Sequence, residues 1–165
     1  MSRNLIRLLA VILIVDSQAI APTRMALADW RGPRSSGQRL YVPLYSSIPF
    51  MEGIEGQQLD FAVTVSIRNT DSMHSLRIEA MHYFGNHDEL QGNSFTEPRM
   101  LEPLASAEIV IPQSTMRGDV GAKLILEWRS MAPVAPPVVE AVMVGVSRAQ
   151  GFAFASRAVV LDEWH

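Results

Sequence analysis

The chain of 165 residues has no cysteine, and only one of its 14 basic residues is a lysine. It also lacks an apolar run approaching the roughly 20 residues that cross a bilayer as a helix. Without cysteine it has neither a disulfide framework nor a cysteine-ligated zinc finger. Its 17 acidic residues outnumber the basic ones, and the formal net charge is −3, whereas binding to phosphates favours a basic patch. These shortages exclude a disulfide scaffold and argue against a nucleic-acid partner.

The first 28 residues are predicted to be a signal peptide. Arg3 and Arg7 precede a short apolar run, and residues 26–28 supply the small residues that a signal peptidase reads. Cleavage is predicted between Ala28 and Asp29, which gives a periplasmic or secreted protein with no membrane span after cleavage. An uncleaved amphipathic anchor is the alternative.

After cleavage, residues 29–37 are predicted to form a flexible N-terminus and residues 38–165 a single domain. This mature chain has a net charge of −5, which favours solubility and disfavours anionic partners.

Apolar residues of the mature chain recur mostly with period two, between breaks rich in Gly, Pro, Asn and Asp. The pattern predicts an all-β fold, a two-sheet antiparallel β-sandwich of immunoglobulin-like architecture with seven or eight strands. A weak strand is expected to end by Leu101. The clearer predicted strands are Gln38 to Ser47, Leu59 to Ile67, Leu76 to Phe84, Ala105 to Ile111, Ala122 to Trp128, Val138 to Val146 and Phe152 to Leu161.

Four local features refine this prediction. Pro43 predicts that the first strand is an edge strand or contains a bulge, and the parity change near Ala80 predicts a bulge there. Residues 129–137 contain three prolines and are expected to form a stiff connector. Residues 138–146 are apolar on both faces, which predicts a strand covered on each side.

Five ordered motifs resemble an uncharacterised bacterial family known as domain of unknown function 3124. They lie at residues 40–46 (LYVPLYS), 65–71 (VSIRNTD), 121–122 with 127–128, 137–143 (PVVEAVM) and 151–152. The resemblance covers nearly all of the mature chain. It implies an exported single-domain protein and implies no activity.

Four residues within fifteen positions are candidates for a metal site: His74, His82, His87 and Asp88. Imidazole and carboxylate groups brought together at one end of a sheet hold a divalent ion. The alternative, which we favour, is that His87 and Asp88 are solvated turn residues and that His82 lies at the end of a strand.

Two glutamates fall within strongly apolar strands, and two arginines lie near theirs. A buried carboxylate with a raised pKa acts as a general acid, but a buried charge without a partner is costly. We therefore interpret Arg68, Glu127, Glu140 and Arg157 as structural ion-pairing residues. The sequence contains no Gly-x-Ser-x-Gly elbow and no phosphate-binding loop, so no catalytic or cofactor-binding residue is assigned and no cofactor is expected.

Two functional interpretations remain open. The first is a non-catalytic periplasmic module that binds another periplasmic or envelope protein, or an envelope component, with Trp30, Tyr41 and Tyr45 as a possible interaction surface. The second is a periplasmic protein that binds a small ligand or metal, and is at most weakly catalytic, through the loop around His82 to Asp88.

Overall fold

The computed structural model describes residues 32–49, 58–85, 90–93 by backbone alone, 97–111, 121–147 and 149–165. These residues form β1 (Ser35–Pro43), β2 (Ser47–Pro49), β3 (Gln58–Asp60), β4 (Ala62–Arg68), β5 (Leu76–Phe84), β6 (Leu90–Asn93), β7 (Arg99–Leu101), β8 (Ser106–Ile111), β9 (Lys123–Val134), β10 (Val138–Ser147), β11 (Gln150–Arg157) and β12 (Val159–Trp164). The described part of the chain includes no helix long and apolar enough to cross a membrane.

The strands form two larger antiparallel sheets and one small pair. The six-stranded sheet has the order β12-β1-β9-β5-β6, with β7 also paired to β5, and the four-stranded sheet has the order β11-β10-β4-β8. Strands β2 and β3 pair with each other. The predicted all-β sandwich of two antiparallel sheets is confirmed, although twelve described strands replace the expected seven or eight because several predicted runs are split.

One hydrophobic core lies between the two larger sheets. Strand β4 contributes every second residue through Val63 and Val65, and β9 contributes Leu126 and Trp128, all of them fully buried. Burial of one such side chain contributes about 1.5–3 kcal/mol to the stability of the fold. The indole Nε1 of Trp128 donates to Oε1 of Gln38 at 3.3 Å, so its polar atom is also satisfied within the core.

Strand β1 lies inside the six-stranded sheet, between β12 and β9, so the edge position suggested by Pro43 is wrong. The strand contains a bulge, since its pairing with β12 shifts between Arg39 and Leu40, but this bulge lies before Pro43 rather than at it. Proline is tolerated because β12 pairs only as far as Tyr41, and the carbonyl of Pro43 instead accepts from Ser156 Oγ at 2.5 Å. The strand also begins at Ser35, within the segment expected to be flexible.

The last predicted run, Phe152 to Leu161, is two strands in different sheets. Strand β11 pairs with β10, whereas β12 pairs with β1. The chain crosses between the sheets at Ala158, whose N–H donates to the carbonyl of Val139 at 3.1 Å. Residues 158–161 are four consecutive apolar residues and β12 is exposed from Val159 to Glu163, so the alternation of β11 is lost at the crossing, but a continuous apolar run does not by itself indicate a change of sheet.

Strand β9 continues through the region expected to be a connector and ends at Val134. Its pairing with β1 jumps from Gly37–Arg129 to Ser35–Val134, so residues 130–133 bulge out of the ladder. The second bulge, predicted near Ala80, is confirmed by a register shift between Ile78 and Ala80.

Strand β10 is covered on one face only, which corrects the expectation of cover on both. Its side chains alternate between buried Val139, Ala141 and Met143 and the exposed Val142 and Val144. The predicted strand from Leu59 to Ile67 is also interrupted at Phe61, which lies between β3 and β4. The N–H of Phe61 donates to the carbonyl of Ser46 at 2.8 Å.

Candidate functional site

The turn that follows β4 contains a buried asparagine that joins two loops. Asn69 is 2% exposed. Its Nδ2 donates to the carbonyl oxygens of His74 at 2.9 Å, Leu101 at 3.1 Å and Glu102 at 3.0 Å. Its Oδ1 accepts from the N–H of Asp71 at 3.0 Å. The side chain therefore fixes the β4–β5 turn against the segment that follows β7.

Asp71 lies in the same turn and accepts hydrogen bonds on both carboxylate oxygens. Oδ1 accepts from the N–H groups of Met73 at 2.9 Å and His74 at 3.0 Å, and Oδ2 accepts from Ala135 N–H at 3.1 Å and Arg34 Nη1 at 3.0 Å. Burial raises the pKa of this carboxyl, but the hydrogen bonds from Met73, Ala135 and His74 outweigh it and lower the pKa to about 2. Asp71 is therefore an ionised structural centre that joins β1, β5 and the β9–β10 connection.

A groove of about 550 Å³ is lined by the loop before β5, by β5, by β7 and by the bulged part of β9. Three methionines from three of these segments line it, which we call the methionine groove: Met73, Met100 and Met131. Met73 is 77% exposed, Met100 is 54% exposed and Met131 is fully exposed. Methionine is among the residues most often buried, so three exposed thioethers on one surface need an explanation.

His74 also lines the methionine groove. Its ring Nδ1 lies 3.1 Å from Asp71 Oδ1, and 45% of its side chain is exposed. The ionised carboxylate cannot donate, so Nδ1 carries the hydrogen in this contact. In the neutral ring the lone pair is then on Nε2.

Two arginines line the same groove, but each guanidinium contacts a partner. Arg77 Nη2 lies 2.6 Å from Glu79 Oε1. Arg129 lies over the ring of Trp164, 3.3 Å from its centroid. Gly37 makes room for this stack, because a Cβ there would lie 2.6 Å from Arg129 Cδ and 2.7 Å from the carbonyl of Trp128.

The outer face of the four-stranded sheet is built from small apolar side chains, and we call it the valine face. Val142 is 37% exposed, Val144 51%, Val146 75% and Val110 65%. In register, Val142 lies between Ala155 and Thr64, with Val110 beyond Thr64. Val144 lies between Ala153 and Ala62, and Val146 is opposite Gly151. One charged row, Arg157, Glu140, Ser66 and Glu108, borders these rows at one end.

The outer face of the six-stranded sheet carries an ion-pair network at its centre. Arg39 Nε lies 2.7 Å from Glu127 Oε1, and its Nη1 lies 3.1 Å from Asp162 Oδ2. The hydrogen bond and attraction of Glu127 raise the pKa of Arg39 above its ordinary value. Three adjacent strands contribute these groups, which we call the charged face.

Of the four predicted ion-pairing residues, the structure brings two together. Arg157 Nε lies 3.0 Å from Glu140 Oε1, because the two residues are opposite each other in β11 and β10. Glu127 meets Arg39 rather than a predicted partner. Arg68 Nε donates to Ser66 Oγ at 3.2 Å.

The candidate metal residues do not all share one site. His74 precedes β5 and His82 lies near its end, so an extended strand rising about 3.3 Å per residue separates them widely. His87 and Asp88 lie outside the described residues, and their role stays a prediction. Within the described ranges, no group of three or more His, Asp or Glu side chains is arranged to hold a metal ion.

The predicted aromatic surface is divided. Tyr45 packs edge-on against Phe154, with centroids 5.7 Å apart, and contacts the core. Tyr41 is half-buried within β1, opposite Ile125. Trp30 lies outside the described residues.

Sequence reasoning missed both the methionine groove and the valine face. The face corresponds to the apolar run at 138–146, a pattern that predicts a strand covered on both sides. The groove depends on the β9 bulge at residues 130–133. The local sequence of β9 does not indicate this bulge, because it is defined by the pairing of β9 with β1. A signal was present in the methionines that fall in polar surroundings at Met73, Met100 and Met131.

Comparisons with known proteins identify a family. The family model described as "Protein of unknown function (DUF3124)" matches residues 37–161. A solved structure described as "Crystal Structure of Thermotoga maritima 1070" is similar over 82% of this chain and 97% of that chain, with 13% sequence identity and a TM-score of 0.40. No curated protein matches the chain.

Proposed function

The chain belongs to the DUF3124 family of proteins of unknown function, and we propose that this member is an exported, non-catalytic module that binds another envelope protein through the valine face. The observation that carries the proposal is the exposure of four valines, at 37–75%, on one face of one sheet. Contiguous apolar patches of this kind mark interaction sites on soluble proteins.

The extent of the valine face favours a protein partner. It measures about 14 Å across four strands and about 13 Å along them. At one end, Ala62, Val144 and Val146 line a groove of about 380 Å³ together with residues 58–60. A stable interface buries about 800 Å² on each partner. The valine face would therefore form the apolar centre of a larger contact with an apolar partner surface.

Charge favours a different protein over a second copy of this chain. The charged row beside the face holds two carboxylates, Glu108 and Glu140, and one guanidinium, Arg157. A second copy would bring the same row and the same net charge of −5 of the mature chain. A partner with a basic group at its rim would complement it.

Two further observations support a binding role. The carboxylates considered as general acids are engaged, since Glu127 pairs with Arg39 and Glu140 with Arg157. The N-terminal 28 residues have the pattern of a signal peptide, which supports an envelope location.

The proposal is tested by placing a photocrosslinking amino acid at Val144, which is 51% exposed, in cells of the native host. Val159, a valine of β12 on the opposite sheet that is 57% exposed, is the matched position. We expect a defined crosslinked species at Val144, absent at Val159 and lost when Val142→Glu is added. Mass spectrometry should identify it as another exported protein. A species of twice the mass of this chain, or equal crosslinking at both positions, overturns the proposal.

A further inference from the structure

We propose that the methionine groove is a binding site for a soft monovalent metal ion, copper(I), with the thioethers of Met73, Met100 and Met131 and the imidazole of His74 as its ligands. This surface is separate from the valine face, and its argument does not depend on the proposed partner. The chain has no cysteine, so thioethers are its only soft ligands.

The first observation is the placement of the thioethers. The loop before β5, β7 and the β9 bulge each bring one exposed methionine to a groove of about 550 Å³. The other described methionines, Met81 and Met143, are fully buried in the core. Thioether sulfur is a soft, uncharged ligand that selects copper(I) over zinc, magnesium or calcium.

The second observation is the orientation of His74, which is independent of the methionines. The Asp71 carboxylate, itself buried, holds Nδ1 at 3.1 Å and leaves the lone pair of the neutral ring on Nε2. A carboxylate that orients a ligand histidine in this way is typical of the outer shell of metal sites. Exposed methionines alone would suit an apolar peptide equally well, and the oriented imidazole is what favours a metal ion.

A monovalent ion adds the least charge to a groove that is already lined by two guanidinium groups. Arg77 is paired with Glu79 at 2.6 Å, whereas the Arg129 guanidinium is held against the ring of Trp164 and keeps its charge. Neutral thioethers and a neutral imidazole suit a monovalent ion, whereas the described residues provide no cluster of carboxylates for a hard divalent one.

The test uses the purified protein labelled with ¹³C on its methionine methyl groups. Silver(I), a stable substitute for copper(I), should shift the methyl signals of Met73, Met100 and Met131 at one equivalent and leave Met81 and Met143 unchanged. Copper(I) affinity is then measured without oxygen against a chromogenic copper(I) chelator. Met131→Leu should weaken binding about tenfold or more, and His74→Gln should do the same.

Two controls keep the result interpretable. Met131 is fully exposed, so Met131→Leu leaves the fold unchanged even where His74→Gln disturbs Asp71. His82→Gln is the matched histidine variant, and it should leave copper(I) affinity unchanged. Silver(I) shifts confined to other methionines, unaltered affinity in Met131→Leu, zinc binding as tight as copper(I), or binding of an apolar peptide with no metal response would each overturn the proposal.

Discussion

The two sheets of the sandwich differ in what lies at the middle of their outer surfaces, although β12 of the six-stranded sheet also exposes Val159, Val160 and Leu161. On the six-stranded sheet, Arg39 joins Glu127 and Asp162 in a network that spans three strands. On the four-stranded sheet, the corresponding rows are valine, alanine and glycine, and Glu140–Arg157 is the described ion pair at their border. Both sheets bury the same kind of side chain on their inner faces, so the core does not explain the difference.

The difference indicates which surface faces water. Charged pairs on an outer face keep a sheet solvated and contribute little to stability. Exposed apolar side chains form no favourable interactions with water, and monomeric proteins rarely expose large apolar patches that are not interaction sites. The charged face therefore has the properties of a solvated surface, and the valine face has those expected of a docking surface.

The largest expected effect comes from the buried turn at one end of the two sheets. Both carboxylate oxygens of Asp71 accept from backbone N–H groups, Oδ1 from Met73 and Oδ2 from Ala135. In Asp71→Asn one of these oxygens becomes an NH₂ group, which cannot accept and would face an N–H donor. We expect the free energy of unfolding to fall by about 2–4 kcal/mol at neutral pH, measured by urea denaturation. Such a loss would exceed that of any substitution on either outer face.

Acid titration provides the control for this variant. The pKa of Asp71 is about 2 in the folded chain and ordinarily 3.8, so its contribution is present above pH 4 and is lost as the pH falls toward 2. Wild-type stability should decline by about 2 kcal/mol from this group across that interval, and Asp71→Asn should lack that part of the decline. An identical acid slope in both proteins would contradict the assignment.

A smaller effect distinguishes the ion pairs of the two faces. Glu127→Gln removes the partner of Arg39 within a network, whereas Glu140→Gln removes the partner of an arginine that is 83% exposed. We expect Glu127→Gln to lower the melting temperature by about 1–3 °C and Glu140→Gln by less. In 1 M salt the two melting temperatures should converge on the wild-type value, and an equal effect of both variants would remove this distinction between the faces.

The smallest effect on stability is expected on the valine face itself. Replacing Val142, Val144 and Val146 together by threonine keeps side-chain shape and adds three hydroxyl groups in contact with water. The free energy of unfolding should change by no more than about 0.5 kcal/mol, while crosslinking at a neighbouring position such as Ala153 is lost. A large loss of stability would mean that the face is covered within the chain.

The sequence was sufficient to predict the fold class, the strand over Leu76–Phe84 and the bulge near Ala80, because alternation and its parity changes are local. It could not predict that β1 is internal, since strand neighbours depend on pairing between distant segments. The crossing at Ala158 coincides with the apolar run at residues 158–161, and such a run does not indicate which sheet the chain joins next. The link between Asp71 and Ala135 spans 64 positions and exists only once the sheets have packed.

The crossing at Ala158 also bears on aggregation. It makes β11 and β12, the outer strands of the two larger sheets on that side, one continuous segment that bends from one sheet to the other. An unpaired outer strand is a template for pairing with other chains. A straight incoming strand could follow β11 or β12 but not both, so the bend limits the length of backbone available to such growth. The bend at Ala158 therefore limits edge-to-edge pairing along β11 and β12.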